Sequence, residues 1–276
     1  MTTNRKRTSS ADPRSLAPDP CIEGWHGWDE YAPFYDWENA QTMGRRDVKF
    51  WQDLAARLGG PALELGCGTG RVTLPVARSG VALVGIDRSE QMLACARRRV
   101  RRACLSRRPA LVRGDIRSLP FGPRTFSLVM APYGILQSLL ADGDLDATLA
   151  STARVLAPGG TLGIDLVADL PSWQEYWKRV RLHGRRGSAG PQVTLIESVR
   201  QEPDRKLTIF EQEYVEHRGT RSRRRQFSLA FRTLSVPEMT ARVEAAGFRM
   251  AALLGDYESR PWDPRAEVWI ILASKK

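Results

Sequence analysis

The chain has 276 residues, with 42 basic and 31 acidic side chains and a formal net charge of +11. Its 42% hydrophobic content can bury one α/β core, and no run reaches the roughly 18 consecutive apolar residues that a membrane-spanning helix needs. The first residues lack the apolar core of a secretion signal, and the four cysteines show no C-x-x-C spacing. We therefore expect a cytoplasmic protein without a metal site, a disulfide framework or a membrane segment.

The N-terminal region divides into a tail and an aromatic segment. Residues 1–24 are rich in Thr, Ser, Pro and Arg, which predicts a disordered basic tail. The aromatic segment, 25–37, precedes a helix predicted from about residue 45 to residue 58. Its aromatic side chains are Trp25, Trp28, Tyr31, Phe34, Tyr35 and Trp37. We expect the tryptophans to anchor this segment to a sheet as an N-terminal helical cap.

The most informative stretch is the glycine loop, residues 61–71, with the sequence Pro-Ala-Leu-Glu-Leu-Gly-Cys-Gly-Thr-Gly-Arg. A short apolar run ends in Glu64, and glycines then occupy alternate positions, Gly66, Gly68 and Gly70. Each glycine removes a Cβ atom where the chain turns sharply or closely approaches a ligand. This pattern indicates a site for a nucleotide-type cofactor.

The glycine spacing differs from that of nicotinamide and flavin sites. Those sites need G-x-G-x-x-G, with the third glycine at the contact between helix and strand. Here Arg71 or Thr73 occupies that third position, depending on which glycine starts the count. The residues behind the loop, 71–78, are predicted to form a helix whose first amides face the ligand.

Carboxylates follow the next two predicted strands. Strand 81–87 ends at Asp87, whose two acceptor oxygens suit the ribose hydroxyls of a nucleoside. Ser89 is a predicted N-cap of the following helix, and Met92 lies either near a bound adenine or in the core. A third strand, 110–113, leads to Asp115, which either contacts the cofactor or caps a turn.

The motif E-x-G-x-G-x-G at residues 64–70 resembles the first motif of class I S-adenosylmethionine-dependent methyltransferases, and residues 114–121 are similar to a G-D-a-x-x-L-P-F segment of that family. The resemblance implies an α/β, Rossmann-like sheet, mostly parallel with an antiparallel last strand. It also implies S-adenosylmethionine as the cofactor and S-adenosylhomocysteine as the product. The α/β alternation from residue 61 onward agrees with such a sheet.

The resemblance also assigns roles to individual residues. The loop and its acid would lie along the methionine portion of the cofactor, and Asp115 would accept a hydrogen bond from the adenine amino group. An aromatic face near the sulfonium, as at Tyr35, would add cation–π stabilisation. The full implied cofactor set is Tyr35, Glu64, Gly66, Cys67, Gly68, Gly70, Asp87, Arg88, Met92, Asp115, Ile116 and Ala131.

The residues after the fourth predicted strand, 126–131, bear on the acceptor. DNA and glutamine N-methyltransferases carry a tetrad of the Asn/Asp-Pro-Pro-Tyr type at this point, whereas residues 131–134 read Ala-Pro-Tyr-Gly. The missing acid or amide argues against a nucleobase or amide nitrogen as the acceptor. Tyr133 either lines the pocket or packs on the sheet edge. Farther along, a helix over 142–156 is predicted to end in a C-cap turn at the glycines of 157–160.

An inserted segment, residues 170–234, separates two parts of the predicted Rossmann-like domain, 25–169 and 235–276. Apolar–polar alternation in 193–200, 207–217 and 225–232 predicts an antiparallel meander. The segment resembles the lid sheet of small-molecule methyltransferases, including those that act on amino acids and amino sugars. It is therefore expected to be a lid or substrate subdomain.

Three arginine clusters account for much of the positive charge, at residues 97–108, 181–186 and 218–225. A basic groove would attract RNA phosphates. However, aromatic residues are not interleaved with the clusters, so a stacking platform for single-stranded RNA is missing. An RNA methyltransferase stays open as an alternative.

The sequence predicts an S-adenosylmethionine-dependent methyltransferase that acts on a nitrogen or oxygen of a small metabolite. The protein mainly positions the acceptor for in-line displacement, and a base is needed only where the acceptor must lose a proton. Candidate bases are Tyr133, His217 and Tyr257, although a histidine such as His217 at a strand end is commonly just solvated. A non-catalytic cofactor-binding partner protein is a further alternative. The oligomeric state is expected to be a monomer or a homodimer paired through an exposed strand edge.

Overall fold

The computed structural model describes residues 27–42, 46–105, 107–167 and 174–276. The predicted tail, 1–24, and Trp25 lie outside the described residues. The α-helices of the described ranges are α1 Trp28–Thr42, α2 Arg46–Leu58, α3 Thr73–Arg78, α4 Glu90–Arg102, α5 Asp142–Val155 and α6 Val236–Ala245. Helix α4 has the predicted N-cap, because the Ser89 hydroxyl accepts from the Met92 amide at 3.1 Å.

The main sheet contains seven of the described strands in the order β10-β11-β5-β4-β1-β2-β3. Their bounds are β1 Ala62–Leu65, β2 Leu83–Asp87, β3 Ala110–Arg113, β4 Phe126–Ala131, β5 Leu156–Val167, β10 Phe248–Leu254 and β11 Val268–Lys275. Strands β1 to β5 pair in parallel, whereas β11 pairs antiparallel to both of its neighbours. The predicted mostly parallel α/β sheet with an antiparallel last strand is confirmed.

Apolar side chains cover both faces of this sheet, as a parallel sheet requires. One face packs against α5 and α6 through residues such as Leu145, Leu149 and Met239. The other face packs against α2 and α3, where Trp51 is fully buried. The chain passes from β1 to β2 on one side and later to β4 on the other, so the strand order reverses beside β1. Ligands of such sheets bind at this reversal, outside the carboxyl ends of the strands.

A second sheet contains four antiparallel strands in the order β6-β7-β8-β9, namely β6 Tyr176–Arg185, β7 Gln192–Glu202, β8 Leu207–Arg218 and β9 Arg221–Arg232. The three predicted strands of the meander are present as β7, β8 and β9. Strand β6 was not predicted, because its alternating basic residues have the composition of a solvated loop. It forms the edge of the sheet, where Trp177 and Val180 are exposed.

The segment at the start of β5 differs from the prediction. Helix α5 ends at Val155, and residues 157–160 belong to β5 instead of forming a C-cap turn. The pairing of β5 with β4 shifts register between Leu156 and Thr161, so the Pro-Gly-Gly residues form an irregularity within the strand. Gly159 has a φ of +71°, which a bulge accommodates and a regular strand does not.

Candidate functional site

A cavity of about 1040 Å³ lies between the carboxyl ends of the parallel strands and the inner face of the second sheet. Gly66, Asp87, Asp115 and Tyr133 each follow or end a different parallel strand and line one side of it. The opposite side is lined by Leu195, Phe210 and Phe231. Pockets for single small ligands range from about 300 to about 1,000 Å³. The cavity is therefore large enough for a cofactor and a second small molecule.

The glycine loop turns sharply between β1 and α3. Gly66 has a φ of +61°, and a Cβ atom there would lie 2.6 Å from the Ile135 side chain. Gly70 has a φ of +82°, and a Cβ atom there would lie 2.8 Å from Leu74. Gly66 and Gly68 line the cavity, whereas Gly70 packs against the helix side. Helix α3 begins only at Thr73, two residues later than predicted.

Asp87 joins this loop to the end of β2. Its Oδ2 atom accepts from the Gly68 amide at 2.8 Å, and its Oδ1 atom accepts from the Ser89 amide at 2.8 Å. Burial raises the pKa of this carboxyl, while the two amides lower it. Because a carboxylate has about four lone-pair sites, Asp87 can accept further hydrogen bonds from a ligand in the cavity.

Several predicted cofactor residues are not among those that line the cavity. Glu64 is 3% exposed and accepts from the Thr73 hydroxyl at 2.5 Å, and burial raises its pKa to about 8. It therefore fixes the start of α3 within the protein. Cys67 and Ala131 are also buried beneath the cavity wall. Burial raises the pKa of the Cys67 thiol.

The remaining predicted cofactor residues line the cavity, namely Tyr35, Arg88, Met92, Asp115 and Ile116. Met92 packs in the α1 cluster and also lines the cavity, so it has the predicted core position while its contact with an adenine stays a prediction. Asp115 likewise caps the short 3-10 turn through the Arg117 amide at 2.9 Å while facing the cavity. The pKa of Asp115 lies below its usual range because the hydrogen bonds from Arg117 and the nearby Arg88 outweigh its desolvation.

Tyr133 lies on the cavity wall in a left-handed backbone conformation, with a φ of +61°. The Arg71 guanidinium stacks over its ring, 4.9 Å from the centroid. Arg71 is held in turn by both oxygens of Asp47, at 2.7 and 2.6 Å. Burial raises the pKa of the Tyr133 hydroxyl above its ordinary value. Non-glycine residues in this conformation are uncommon and cluster at ligand sites.

The structure does not bring His217 or Tyr257 to the cavity wall. His217 lies exposed near the tip of the β8–β9 hairpin, opposite Ser222, because β8 continues outward beyond the cavity. The Tyr257 hydroxyl donates to Asp165 Oδ2 at 2.9 Å, and burial raises its pKa. Neither of these two predicted bases therefore lines the cavity in this structure.

Two carboxylates that the sequence did not predict also line the cavity, Glu38 on α1 and Glu197 on β7. The Gln212 side chain joins them, because its Nε2 atom donates to Glu38 Oε1 at 3.0 Å and to Glu197 Oε2 at 2.9 Å. We call Glu38 and Glu197 the acid pair. One signal was available in the sequence: Glu38 follows Tyr35 by three residues, which places both on one face of a helix.

Two kinds of feature are absent from the part of the chain that the structure describes. It contains no helix with the length and apolarity to cross a membrane. It also contains no group of three His, Cys, Asp or Glu side chains arranged to hold a metal ion.

Comparison with known proteins links this site to one family. Residues 62–160 match a family model described as a methyltransferase domain. A demethylmenaquinone methyltransferase of Lactobacillus johnsonii is 32% identical over 162 residues, covering 53% of this chain and 64% of that protein. The chain thus spans less than two thirds of the length of that relative.

Solved structures share the fold over most of the chain. The CcbJ methyltransferase from Streptomyces caelestis is 21% identical with a TM-score of 0.77, covering 92% of this chain and 100% of the other. The sugar N-methyltransferase KedS8 from a Streptoalloteichus species is 19% identical with a TM-score of 0.70, covering 88% and 92%. The family match therefore identifies a methyltransferase domain over residues 62–160, and the solved structures show that the chain shares the fold of known methyltransferases.

Proposed function

We propose that this protein is an enzyme that transfers a methyl group from S-adenosylmethionine to a nitrogen or oxygen of a small metabolite. The cavity carries this proposal, because the glycine loop forms one wall and the second sheet forms the opposite wall. Small-molecule methylation is also named for the demethylmenaquinone methyltransferase and for the sugar N-methyltransferase KedS8. We further propose that residues 170–234 act as the lid or substrate subdomain.

The residues at the strand ends fit the proposed cofactor. Asp87 presents its carboxylate to the cavity beside the ribose position that the fold implies, and Gly68 leaves the loop wall without a side chain. Met92 and Ile116 offer apolar contact for an adenine ring, and Asp115 offers an acceptor for its amino group. When bound, S-adenosylmethionine supplies an electrophilic methyl carbon with a neutral thioether as its leaving group.

The protein's own contribution is then to bind and align the acceptor and to exclude water. Leu195, Phe210 and Phe231 form an apolar wall opposite the loop, which suits a compact organic acceptor. Holding both reactants in line can supply up to about 7–11 kcal/mol of the barrier reduction. The proposal assigns no catalytic role to His217, because this residue lies away from the cavity.

Ion pairing within the chain supports a small acceptor over RNA. In the first arginine cluster, Arg97 pairs with Glu90 and Arg99 pairs with Asp36. In the other clusters Arg186 pairs with Glu216, and Arg224 pairs with Glu213. These arginines are engaged by the protein's own carboxylates, which lowers their capacity to attract phosphates. The scattered cysteines favour a reducing compartment, so a cytoplasmic location forms part of the proposal.

The test begins with calorimetric titration of S-adenosylhomocysteine into the full chain. We then expect S-adenosylhomocysteine release from S-adenosylmethionine with the small-molecule fraction of a cytosolic extract and not with its RNA fraction. Release of S-adenosylhomocysteine with the RNA fraction alone would favour an RNA methyltransferase instead. Binding without release in either fraction would favour the non-catalytic partner protein, and failure to bind would overturn the whole proposal.

A further inference from the structure

The first carboxylate of the acid pair keeps an unused acceptor site. Glu38 Oε2 accepts from the hydroxyls of Tyr31 and Tyr214. Within the described ranges, Glu38 Oε1 accepts only from Gln212 Nε2. Because each carboxylate oxygen has two lone-pair sites, one site of Glu38 Oε1 is left for a ligand.

The second carboxylate has a matching arrangement. Glu197 Oε1 accepts from the Tyr176 hydroxyl and lies 3.2 Å from Arg181 Nε. Glu197 Oε2 accepts from Gln212 Nε2, and no other donor to this oxygen exists among the residues that the structure describes. The two oxygens with unused sites are therefore the two that share the Gln212 amide nitrogen.

The spacing of these two oxygens suits a nitrogen donor. Both oxygens bond to the same nitrogen, at 3.0 and 2.9 Å. The distance between them therefore cannot exceed the combined length of these two hydrogen bonds. An ammonium group has three donors and forms hydrogen bonds to carboxylates of about 2.7–2.9 Å. A single ammonium nitrogen can therefore reach both Glu38 and Glu197.

The charge balance points to the same chemistry. Glu197 is 6% exposed, and Arg181, which pairs with it, has a half-exposed side chain. No lysine or arginine of the described residues lies within ion-pair distance of Glu38. Burial and the neighbouring charge of Glu197 raise the pKa of Glu38. Buried carboxylates are normally paired with cations, so the acid pair carries an excess of negative charge that a cationic ligand would balance.

The acid pair also lies at the right place for an acceptor. Tyr35, one turn before Glu38 on α1, lines the cavity, and the charge of Asp87 acts on its hydroxyl. Phe210 lines the cavity on β8, which is beside the β7 strand of Glu197, and Phe231 lines it on β9, one strand farther. The acid pair therefore joins the α1 side of the cavity, where Tyr35 lies, to the second sheet, and a molecule bound there has apolar side chains of that sheet beside it.

We propose that the methyl acceptor is a primary or secondary amine that binds as an ammonium ion between Glu38 and Glu197. This inference rests on the proposed function. Glu38 takes one proton from the ammonium group, so an N–H bond breaks and an O–H bond forms. The freed nitrogen lone pair bonds to the methyl carbon while the carbon–sulfur bond breaks and sulfur keeps the electron pair. The product leaves as an N-methylated ammonium ion.

The test compares two probes of matched shape, phenylpropylamine and phenylpropanol, by calorimetry on protein with and without saturating S-adenosylhomocysteine. We expect the amine to bind at least about tenfold more tightly than the alcohol, because only the amine carries the charge that the acid pair lacks. Glu38→Gln and Glu197→Gln should each lower the affinity for the amine at least about tenfold and leave that for the alcohol unchanged.

Glu213→Gln is the matched control, because Glu213 is the neighbour of Gln212 on β8 and pairs with Arg224 on the solvent side at 2.6 Å. It should change neither affinity, and thermal unfolding should show that all three variants fold. Equal binding of amine and alcohol, undetectable amine binding, or unchanged amine affinity in both acid-pair variants would overturn the inference. If S-adenosylhomocysteine fails to bind while the amine does, only the proposed function fails.

Discussion

The Asp87 carboxylate accepts the Gly68 amide at 2.8 Å and thereby fixes the glycine loop of β1 to the carboxyl end of β2. The same carboxylate also accepts the Ser89 amide, which begins α4. One side chain thus sets the position of the loop and of the next helix. Asp87 also lines the cavity, so one residue both holds the loop and belongs to the proposed cofactor site.

Asp87→Asn is expected to weaken S-adenosylhomocysteine binding by about tenfold or more, because hydrogen bonds to a charged group contribute about 1.5–3 kcal/mol. Calorimetry measures this change directly. Asp263→Asn is the control, since Asp263 lies in an exposed turn with Arg265 and should bind like the unchanged protein. Equal affinity in the Asp87 variant would remove this residue from the cofactor site.

The buried carboxyl of Glu64 is expected to make the stability of the folded protein depend on pH. Burial raises its pKa from 4.5 to about 8 in the folded protein, so the folded state holds this proton more tightly than the unfolded state. The stabilisation is complete below the unfolded pKa and is lost as the pH rises through the folded pKa. The free energy of unfolding, measured with urea, should therefore fall between pH 4.5 and about 8.

Glu64→Gln should remove this part of the pH dependence, because the amide does not titrate in that range. The comparison with the unchanged protein isolates Glu64 from other groups such as Asp165, whose pKa burial raises to about 6. Parallel curves for the variant and the unchanged protein would show that the carboxyl of Glu64 does not titrate as the geometry predicts.

Arg71, at the end of the glycine loop, forms a buried ion pair with Asp47 of α2. The two side chains are 15% and 1% exposed. Asp47→Ala leaves the guanidinium without its partner and should lower the free energy of unfolding by about 3–5 kcal/mol. The control is Asp53→Ala, because Asp53 pairs with Lys49 on the exposed side of the same helix, at 2.7 Å. This surface pair should contribute no more than about 1 kcal/mol. Similar losses in both variants would contradict the importance of the buried pair.

One substitution distinguishes the two possible roles of Tyr133, a general base and a ring that packs on the cavity wall. Its pKa lies above the ordinary value for tyrosine, so the hydroxyl is a poor base at neutral pH. Tyr133→Phe keeps the ring on which Arg71 stacks and should lower turnover by less than about tenfold. Turnover is measured as S-adenosylhomocysteine release with the active metabolite fraction. A loss of about 10²-fold or more with unchanged cofactor affinity would instead identify Tyr133 as the general base.

The amino-acid sequence by itself determined the cofactor half of this protein. The pattern that predicted the loop, β2 and the start of α4 consists of residues close to each other along the chain. They are the alternate glycines, an acid at the end of a short apolar strand and a capping serine. The resemblance to class I methyltransferases rests on the same local residues. Such features are visible because the backbone conformation that each requires limits which residue can occupy the position.

Only the tertiary structure decided which residues meet at the proposed acceptor site. Glu38 and Gln212 are 174 positions apart, and they meet because α1 packs on the inner face of a sheet whose register places Gln212 opposite Glu197. Strand β6 was missed because an edge strand exposes basic side chains much as a loop does. The position of His217 outside the cavity was not evident from the sequence, because it depends on how far β8 extends. Side chains that meet through packing leave no local pattern, since each is an ordinary residue of its own helix or strand.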